Sequence, residues 1–338
     1  NWVFLYIQSI RKSKKISVQY YGINSLVANV LIVHRSSFIF HRFLKYYLFF
    51  ALQLLVIQWA VAQKTTLQVV TKTIEKEWNW EFKKELVINA ENAIITIKAW
   101  DKNYLKSKID LIAKHPIKEI AERDLALQKT IAEENKKNII LGNQLVIDKK
   151  IPKPASNLKA QFTIYAPAAC AIRIKNKFGS IKISGIKNTV RINSQFTKLD
   201  LEDVKGAVEL TTNFGDINGQ NLVGKVNIDA NRSDIQLTHP SGKFTIAAKY
   251  GNISILEDKN RQFDLDIKGN KAHVVFIEPV LIAHNFQLAT EFGEIRAPKN
   301  MAFEFIENTK SRQEAILKGR GTSSLISVVL SFGNITFQ

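Results

Sequence analysis

The sequence is poor in the residues from which many enzymatic and metal sites are built. It has one cysteine, Cys170, and one methionine, Met301, among 338 residues. A single cysteine excludes an internal disulfide framework and any zinc site with several cysteine ligands. No Gly-Gly pair occurs, which excludes calcium-binding nonapeptide repeats, and EF-hand, P-loop, GxSxG and HExxH motifs are missing. We therefore predict no catalytic residues, no cofactor and no metal site.

Acidic residues are scarce relative to basic ones. The chain has 48 Lys+Arg against 30 Asp+Glu, a formal net charge of +18, and residues 1–62 contain basic residues but no acidic ones. In the remainder the basic residues stand singly, as Lys182, Lys187 and Arg191 do. Nucleic-acid binding favours a clustered basic stripe with interleaved aromatics. The pattern therefore argues against nucleic acid as a partner and is compatible with attraction to an anionic cell surface or glycan.

Residues 43–62, FLKYYLFFALQLLVIQWAVA, have the layout of a secretory signal peptide. Arg42 and Lys45 provide a short positive lead, and Ala60 and Ala62 provide an A-x-A cleavage site immediately before Gln63. We assign residues 41–62 as the signal peptide and expect export to the periplasm, the outer surface or the medium. The alternative is an uncleaved membrane anchor, because about 20 apolar residues can span a bilayer.

The segment before this signal is unusually long. The chain begins at Asn1, and its only methionine is Met301. A signal peptide normally starts within a few residues of its positive region. We interpret residues 1–40 as a non-native or disordered extension from an over-extended reading frame, which N-terminal sequencing of the exported protein would test.

Residues 64–114 alternate apolar and polar side chains, notably over 86–90 and 93–100, and strand patterns resume at Asn138, which predicts an N-terminal β region over 63–157. Residues 116–137 differ, because Ile117, Ala121 and Leu125 recur at helical spacing and Pro116 suits a first helical turn. We expect one amphipathic helix over 116–137. Three tryptophans are candidates for a carbohydrate-stacking platform or, more commonly, for core packing: Trp78, Trp80 and Trp100.

Residues 158–338 contain a repeat marked by an aromatic residue followed by glycine. The aromatic positions, which we call anchors, and their degenerate equivalents are Phe178, Phe196, Phe214, Arg232, Tyr250, Lys271, Phe292 and Phe332. The glycines are Gly179, Gly215, Gly251, Gly293 and Gly333, and we expect them to take the positive φ that a tight turn can require. Successive anchors lie 18 or 21 residues apart, except for a last spacing of 40. That last spacing predicts two periods with one unrecognisable copy.

Apolar residues occupy fixed positions on both sides of the anchors, with Gly219 the one exception, so each period contains two short strands with one buried face each. A coil of about 18 residues cannot bury that face alone, whereas stacked coils can. We therefore predict an all-β, β-solenoid or β-helix-like domain in which Ile181, Leu199, Ile217 and Ile235 share one interior file. The alternative is a β-sandwich, which also has turns every 8–12 residues but requires no position-by-position repetition.

Carboxylates recur along the repeat, and paired carboxylates can cleave glycosidic bonds. Asp200 and Glu202 alternate with inward-facing Leu199 and Leu201. We therefore place these carboxylates on a solvated face and keep a carbohydrate-active enzyme on a β-helix as an alternative.

These features together resemble the bacterial "putative-adhesin" β-strand-repeat family, whose exported, uncharacterised members are common in Bacteroidetes. The resemblance rests on the export signal and on the recurring Phe-Gly-x-Ile motif. It also rests on three segments: residues 93–100 followed by Asp101-Lys102, residues 121–125 of the predicted helix, and residues 172–179. It covers about residues 80–338 and implies an exported β-solenoid-like domain without established catalytic residues. Arg232 and Lys271 depart from the pattern because neither is aromatic or followed by glycine.

We therefore predict an exported, non-enzymatic, adhesin-like or scaffold protein of the bacterial cell envelope. Its partner would be a surface polymer or protein, glycans included, bound through the sheet faces. The first alternative is the carbohydrate-active enzyme. The second is a membrane-anchored envelope protein linked to stress sensing, which would touch the membrane only through an uncleaved 43–62 segment.

Overall fold

The computed structural model describes residues 66–81, 83–147, 153–319 and 324–338. Leu67–Gln338 forms one compact unit. The extension (1–40), the signal peptide (41–62) and the cleavage residues Ala60, Ala62 and Gln63 lie outside the described residues and stay predictions. No helix in the described ranges is long and apolar enough to cross a membrane.

The N-terminal part combines strands of both orientations with one helix. Its elements are β1 (Gln68–Asn79), β2 (Glu85–Trp100), β3 (Tyr104–His115), α1 (Lys118–Ala126), β4 (Gln128–Glu134), β5 (Asn138–Leu145) and β6 (Asn157–Pro167). β3 pairs antiparallel with both β1 and β6. β2 pairs parallel with β5 along its first half and with β6 along its second half, and β4 pairs antiparallel with β5. β5 therefore widens the sheet beside the first half of β2, and β6 widens it beside the second half.

The helix α1 is shorter than the helix predicted over 116–137. It ends at Ala126, and the next residues form β4. Thr130 and Ile131 are β-branched, which favours a strand, and Ile131 pairs with Gly142 on β5. That pairing satisfies the backbone groups of the segment along the edge of β5, so the strand outcompetes a continued helix. The predicted extent of the helix is wrong, although the described part of the chain does contain one α-helix.

The rest of the chain forms coils in which two strand arms meet at the anchor. The elements are β7 (Ala171–Ser184), β8 (Val190–Glu202), β9 (Lys205–Asn213), β10 (Ile217–Gln220), β11 (Val223–Asn231), β12 (Ile235–Thr238), β13 (Ser241–Leu256), β14 (Phe263–Ile277), β15 (Asn285–Glu291), β16 (Ile295–Arg296), β17 (Glu304–Asn308), β18 (Arg312–Leu317), β19 (Leu325–Ser331) and β20 (Ile335–Phe337). In β7, β8, β13 and β14 one bent strand runs through the anchor. In the other coils the anchor separates two strands.

Equivalent positions of successive coils pair in parallel register. Ile181 pairs with Leu199, which pairs with Ile217, and Ile217 pairs with Ile235. All four side chains are buried. The predicted interior file is confirmed, and the fold is β-solenoid-like rather than a β-sandwich.

The stack begins earlier in the chain than residue 158. β2 pairs with β7 along both arms, so that Ile88 lies beside Ile174 and Ile95 beside Ile181. The anchor position of this first coil is Asn92, which lies opposite Phe178. The segment β3–β6 is inserted between the first and second coils. The predicted division between residues 157 and 158 therefore does not mark the start of the stack.

The last coil of the chain lies out of sequence order. Leu265 on β14 pairs with Ile326 on β19, and Ile326 also pairs with Phe286 on β15. The coil β19–β20 is therefore inserted between β14 and the coil β15–β16. The described residues between Phe292 and Phe332 form no hidden coil. They contain the hairpin β17–β18, whose strand β18 pairs antiparallel with β15 and so extends the stack beyond the coil β15–β16.

Nine coils are stacked in the described part of the chain. Their spatial order is β2, β7, β8, β9–β10, β11–β12, β13, β14, β19–β20 and β15–β16. One buried file runs through all nine: Ile95, Ile181, Leu199, Ile217, Ile235, Ile253, Val274, Ile335 and Ile295. At about 4.8 Å per coil, the stack is on the order of 40 Å long.

Candidate functional site

The anchors all adopt a left-handed backbone conformation. In spatial order they are Asn92, Phe178, Phe196, Phe214, Arg232, Tyr250, Lys271, Phe332 and Phe292, with φ between 50 and 62°. Non-glycine residues rarely adopt this conformation, so its recurrence at one position of every coil reflects a common turn between the two arms. We call this row of side chains the anchor ladder.

The glycines after the anchors have a different role from the predicted one. Only Gly179 has a positive φ, whereas Gly215, Gly251, Gly293 and Gly333 do not. These positions instead lie against the backbone of the neighbouring coil. A Cβ on Gly215 would come within 2.1 Å of the Thr197 carbonyl oxygen. Glycine is therefore required by close backbone approach, and the turn angle is supplied by the anchor itself.

The aromatic anchors stack face to face. The ring centroids of Phe178 and Phe196 are 5.0 Å apart, and those of Phe196 and Phe214 are 4.8 Å apart. Phe292 and Phe332 stack at 5.1 Å. These distances match the spacing between strands, so the stacking follows directly from the coil register. Each such pair adds about 0.5–1.5 kcal/mol beyond area burial.

The two non-aromatic anchors continue the ladder as cations. The guanidinium carbon of Arg232 lies 5.2 Å from the ring centroid of Phe214 and 5.4 Å from that of Tyr250. The ammonium of Lys271 lies 5.3 Å from the Tyr250 centroid. Cations at these distances are attracted to the ring faces. Arg232 and Lys271 depart from the aromatic pattern of the sequence repeat, but they make stabilising contacts within the same row.

The anchor ladder is a solvent-exposed ridge. Its aromatic members are 41–61% exposed: Phe178, Phe196, Phe214, Tyr250, Phe292 and Phe332. Because stacked rings cover each other's faces, they turn their edges outward, and ring edges carry the positive end of the aromatic quadrupole. Together with Arg232 and Lys271 they form a ridge with positive character.

A cavity of about 430 Å³ lies at the β2 end of the ladder. Its lining includes Glu91, Asn92, Gln128, Asn143, Leu145, Leu158, Lys159 and Phe178. The Asn143 amide fixes one wall, since it accepts from the Glu91 N–H (3.1 Å) and donates to the Glu91 carbonyl (2.8 Å). Sequence reasoning missed this cavity because its walls come from β2, β4, β5, β6 and β7, which are far apart in the chain.

The candidate tryptophans pack rather than form an open platform. Trp78 and Trp80 are buried. The ring of Trp100 stacks on Tyr165 at 5.4 Å and meets the edge of Tyr104 at 4.5 Å, and its indole N–H donates to the Tyr104 carbonyl. Trp78 and Trp80 therefore follow the core-packing interpretation, whereas Trp100 is partly exposed and packs against Tyr104 and Tyr165 outside the core.

Three polar residues that the sequence did not bring together meet in the core. The Nδ1 of His284 lies 2.9 Å from the Ser324 hydroxyl, and its Nε2 lies 3.2 Å from Glu257. The residue types match a serine-hydrolase triad, but there the serine lies at Nε2 and the acid at Nδ1. Here the order is reversed, and the Ser324 hydroxyl donates to the Phe263 carbonyl over 2.6 Å. The contacts of Ser324 with His284 and with the Phe263 carbonyl hold the beginning of β19 between β14 and β15.

The remaining reactive groups do not converge on a site. Burial raises the pKa of the Cys170 thiol to about 12, so this cysteine is an unreactive core residue. The carboxylate of Asp200 lies 3.4 Å from the amide of Asn218 on an exposed face. In the described ranges no group of three or more His, Cys, Asp or Glu side chains could hold a metal ion.

The fold and the anchor ladder define the structural class of this protein. It is a parallel, β-solenoid-like stack of coils, with a row of side chains at the turn between the two strand segments of each coil. The chain belongs to the Toastrack DUF4097 family, whose model matches residues 83–338. No curated protein matches it significantly.

Two solved structures are similar to this chain over most of their length. One, from Clostridium sporogenes and described as a "putative cell adhesion protein", has 13% identity and a TM-score of 0.23, with 79% of this chain and 99% of that one covered. The other, from Bacteroides fragilis and described as a "putative adhesin", has 14% identity and a TM-score of 0.33, with 79% and 97% covered.

Proposed function

We propose that this is an exported, non-enzymatic, adhesin-like protein of the bacterial cell envelope that binds an anionic surface polysaccharide along the anchor ladder. The observation that carries the proposal is the row of exposed aromatic edges interleaved with Arg232 and Lys271. Continuous exposed apolar surface of this kind commonly marks an interaction site. The excess of basic residues in the chain adds a long-range attraction for a polyanion.

The sheet faces offer less to a partner than the sequence suggested. Their exposed polar side chains pair along the rows of the stack. Arg191 donates to Glu209 over 3.1 Å, and the amide of Asn218 donates to Asp200 over 3.4 Å. A ligand on these faces would compete with existing partners, whereas the ladder presents ring edges and cations to solvent. We therefore assign the contact to the ladder rather than to the faces.

The test is binding of the exported protein to immobilised alginate, an anionic polysaccharide, with neutral dextran as the comparison. Alginate should bind and dextran should not, and affinity should fall as salt rises because the attraction is partly electrostatic. The double variant Arg232→Gln/Lys271→Gln should weaken alginate binding about tenfold.

The matched control is Lys225→Gln/Lys243→Gln, which removes the same charge from exposed strand positions away from the ladder. Equal weakening by both double variants would show a diffuse charge effect and contradict the assignment to the ladder. Equal binding of alginate and dextran would contradict the anionic ligand.

A further inference from the structure

The cavity at the β2 end of the ladder differs from the rest of the ridge because an aromatic face borders it. Phe196 covers one face of the Phe178 ring. On the other side the preceding coil carries Asn92, which has no ring to stack. Phe178 and Asn92 both line the cavity, so this side of the first ring is turned towards it. Planar aromatic faces are a common surface for the apolar face of a sugar ring.

The lining of the cavity includes a buried amide, Gln128. It is 5% exposed, and its Oε1 has no hydrogen-bond partner among the residues that the structure describes. An unpaired buried polar atom costs about 1–3 kcal/mol, which a hydrogen bond from a ligand would recover. Because this oxygen is covered, the Gln128 side chain has to turn before a sugar hydroxyl can donate to it. The cavity volume lies within the range of small-molecule sites, about 300–1,000 Å³.

Two cations lie close to the open face of Phe178 and to the cavity. Lys159 contributes to the cavity lining. The ammonium of Lys177 lies over the Phe178 ring, 5.3 Å from its centroid, on the face that Phe196 leaves open, so a stacked sugar displaces it from that face. Both side chains are exposed, so each can swing to meet a ligand. Among the lining residues that the structure describes, the acidic one is Glu91. The balance of charge favours a ligand with a carboxylate.

We infer that this cavity binds one hexuronic acid residue of an acidic polysaccharide. Its pyranose ring stacks on Phe178, a hydroxyl donates to Gln128, and its carboxylate pairs with Lys159 and Lys177. The inference rests on the proposed function and deepens it, because it names the sugar class and the point on the ladder where one residue is held.

The experiment is calorimetric titration of the exported protein with two hexuronate tetramers, tetramannuronate and tetragalacturonate, and with neutral mannotetraose. We expect at least one hexuronate tetramer to bind at least about tenfold more tightly than mannotetraose. Phe178→Leu should weaken that binding about tenfold through loss of the stacking face, and Gln128→Leu about fivefold through loss of the acceptor.

The control is Phe305→Leu, which removes an equally exposed ring from β17, outside the anchor ladder and away from the cavity. It should leave tetramer affinity unchanged. If Gln128→Leu does not fold, the comparison of Phe178→Leu with Phe305→Leu decides the question alone.

Failure of both hexuronate tetramers to bind, equal binding of the neutral tetramer, or equal weakening by the two phenylalanine variants would overturn the inference. If alginate still binds through Arg232 and Lys271 while the tetramers do not bind, the cavity assignment fails and the proposed function stands. If neither alginate nor the tetramers bind, both fail.

Discussion

The backbone N–H of Asn334 donates a hydrogen bond to Nδ1 of His273, which lies 61 residues earlier in the chain, over 3.1 Å. In a stack that followed sequence order, the coil of Glu294 would lie at that position instead. The N–H of Glu294 in turn donates to the side chain of Asn334 over 2.9 Å. The C-terminal coil is therefore held on both sides by coils that precede it in the chain, and it closes the stack only after the whole chain is available.

The glycine positions should not tolerate even a methyl group. A Cβ on Gly251 would lie 2.2 Å from the Ser233 carbonyl oxygen, so Gly251→Ala forces two coils apart. We expect a loss of about 2 kcal/mol or more in the free energy of unfolding, measured by urea denaturation. Ser254→Ala on the same coil should change it by less than about 0.5 kcal/mol. A neutral Gly251→Ala variant would show that the coils are not in such close contact.

The interior file should not accept a charge. Ile253 is fully buried between Ile235 and Val274. Ile253→Asp buries an unpaired carboxylate and should cost at least about 4 kcal/mol, whereas Ile253→Val should cost about 0.5–1.5 kcal/mol. Thermal melts of both variants measure the difference. Similar melting temperatures for the two would mean that this position faces solvent.

Arg232 should stabilise the ladder through its two ring neighbours. Arg232→Ala removes both cation–π contacts, to Phe214 and Tyr250, and should cost about 1 kcal/mol. Arg232→Phe restores a stacked ring at the same position and should recover that stability. Urea midpoints of the two variants provide the measurement. If Arg232→Phe were the less stable of the two, stacking would not be the force that orders this row.

Asp124 should make stability depend on acid pH. Its carboxylate is buried, which by itself would raise its pKa, but hydrogen bonds from Ser156, Arg123 and Ala155 outweigh burial and lower the pKa below the usual value. The unfolded pKa is about 3.9, so the stabilisation is present above that value and is lost as pH falls through the lower, folded pKa. Urea midpoints between about pH 6 and pH 3 should therefore fall more steeply for the wild type than for Asp124→Asn. Parallel curves would contradict this role.

The coils from Phe178 to Lys271 could be predicted because their repeat is local: each 18- or 21-residue period carries its own turn and its own apolar positions. The place of the last coil could not, since β19–β20 carries the same local pattern as the other coils. Only tertiary pairing with β14 and β15 decides it. The predicted helix was too long for a similar reason, because β5 offers β4 a pairing edge that the local pattern does not reveal.

The candidate site was predictable only in part. The anchors could be recognised in the sequence as a repeated position, and the stacking of their rings follows from the regular spacing of the coils. The role of Arg232 and Lys271 was hidden because a cation and an aromatic ring are unlike in sequence but equivalent in a stack. The cavity beside Phe178 depends on Gln128 and Lys159, which lie outside the repeat and reach the ladder only through the fold of the N-terminal strands.

Disulfide formation between introduced cysteines tests the order of the stack most directly. In a Cys170→Ser background, Val275→Cys/Thr336→Cys and Arg296→Cys/Thr336→Cys pair residues on adjacent, in-register strands. Neighbouring strands lie about 4.8 Å apart, within bridging distance, whereas Val275→Cys/Arg296→Cys spans two strand spacings and exceeds the limit of about 7 Å. We predict that mild oxidation cross-links the first two variants and not the third. The opposite result would be efficient cross-linking of Val275→Cys/Arg296→Cys and no cross-linking of the two variants that contain Thr336→Cys. It would contradict the insertion of β19–β20 between β14 and β15–β16, and with it the order of the anchor ladder.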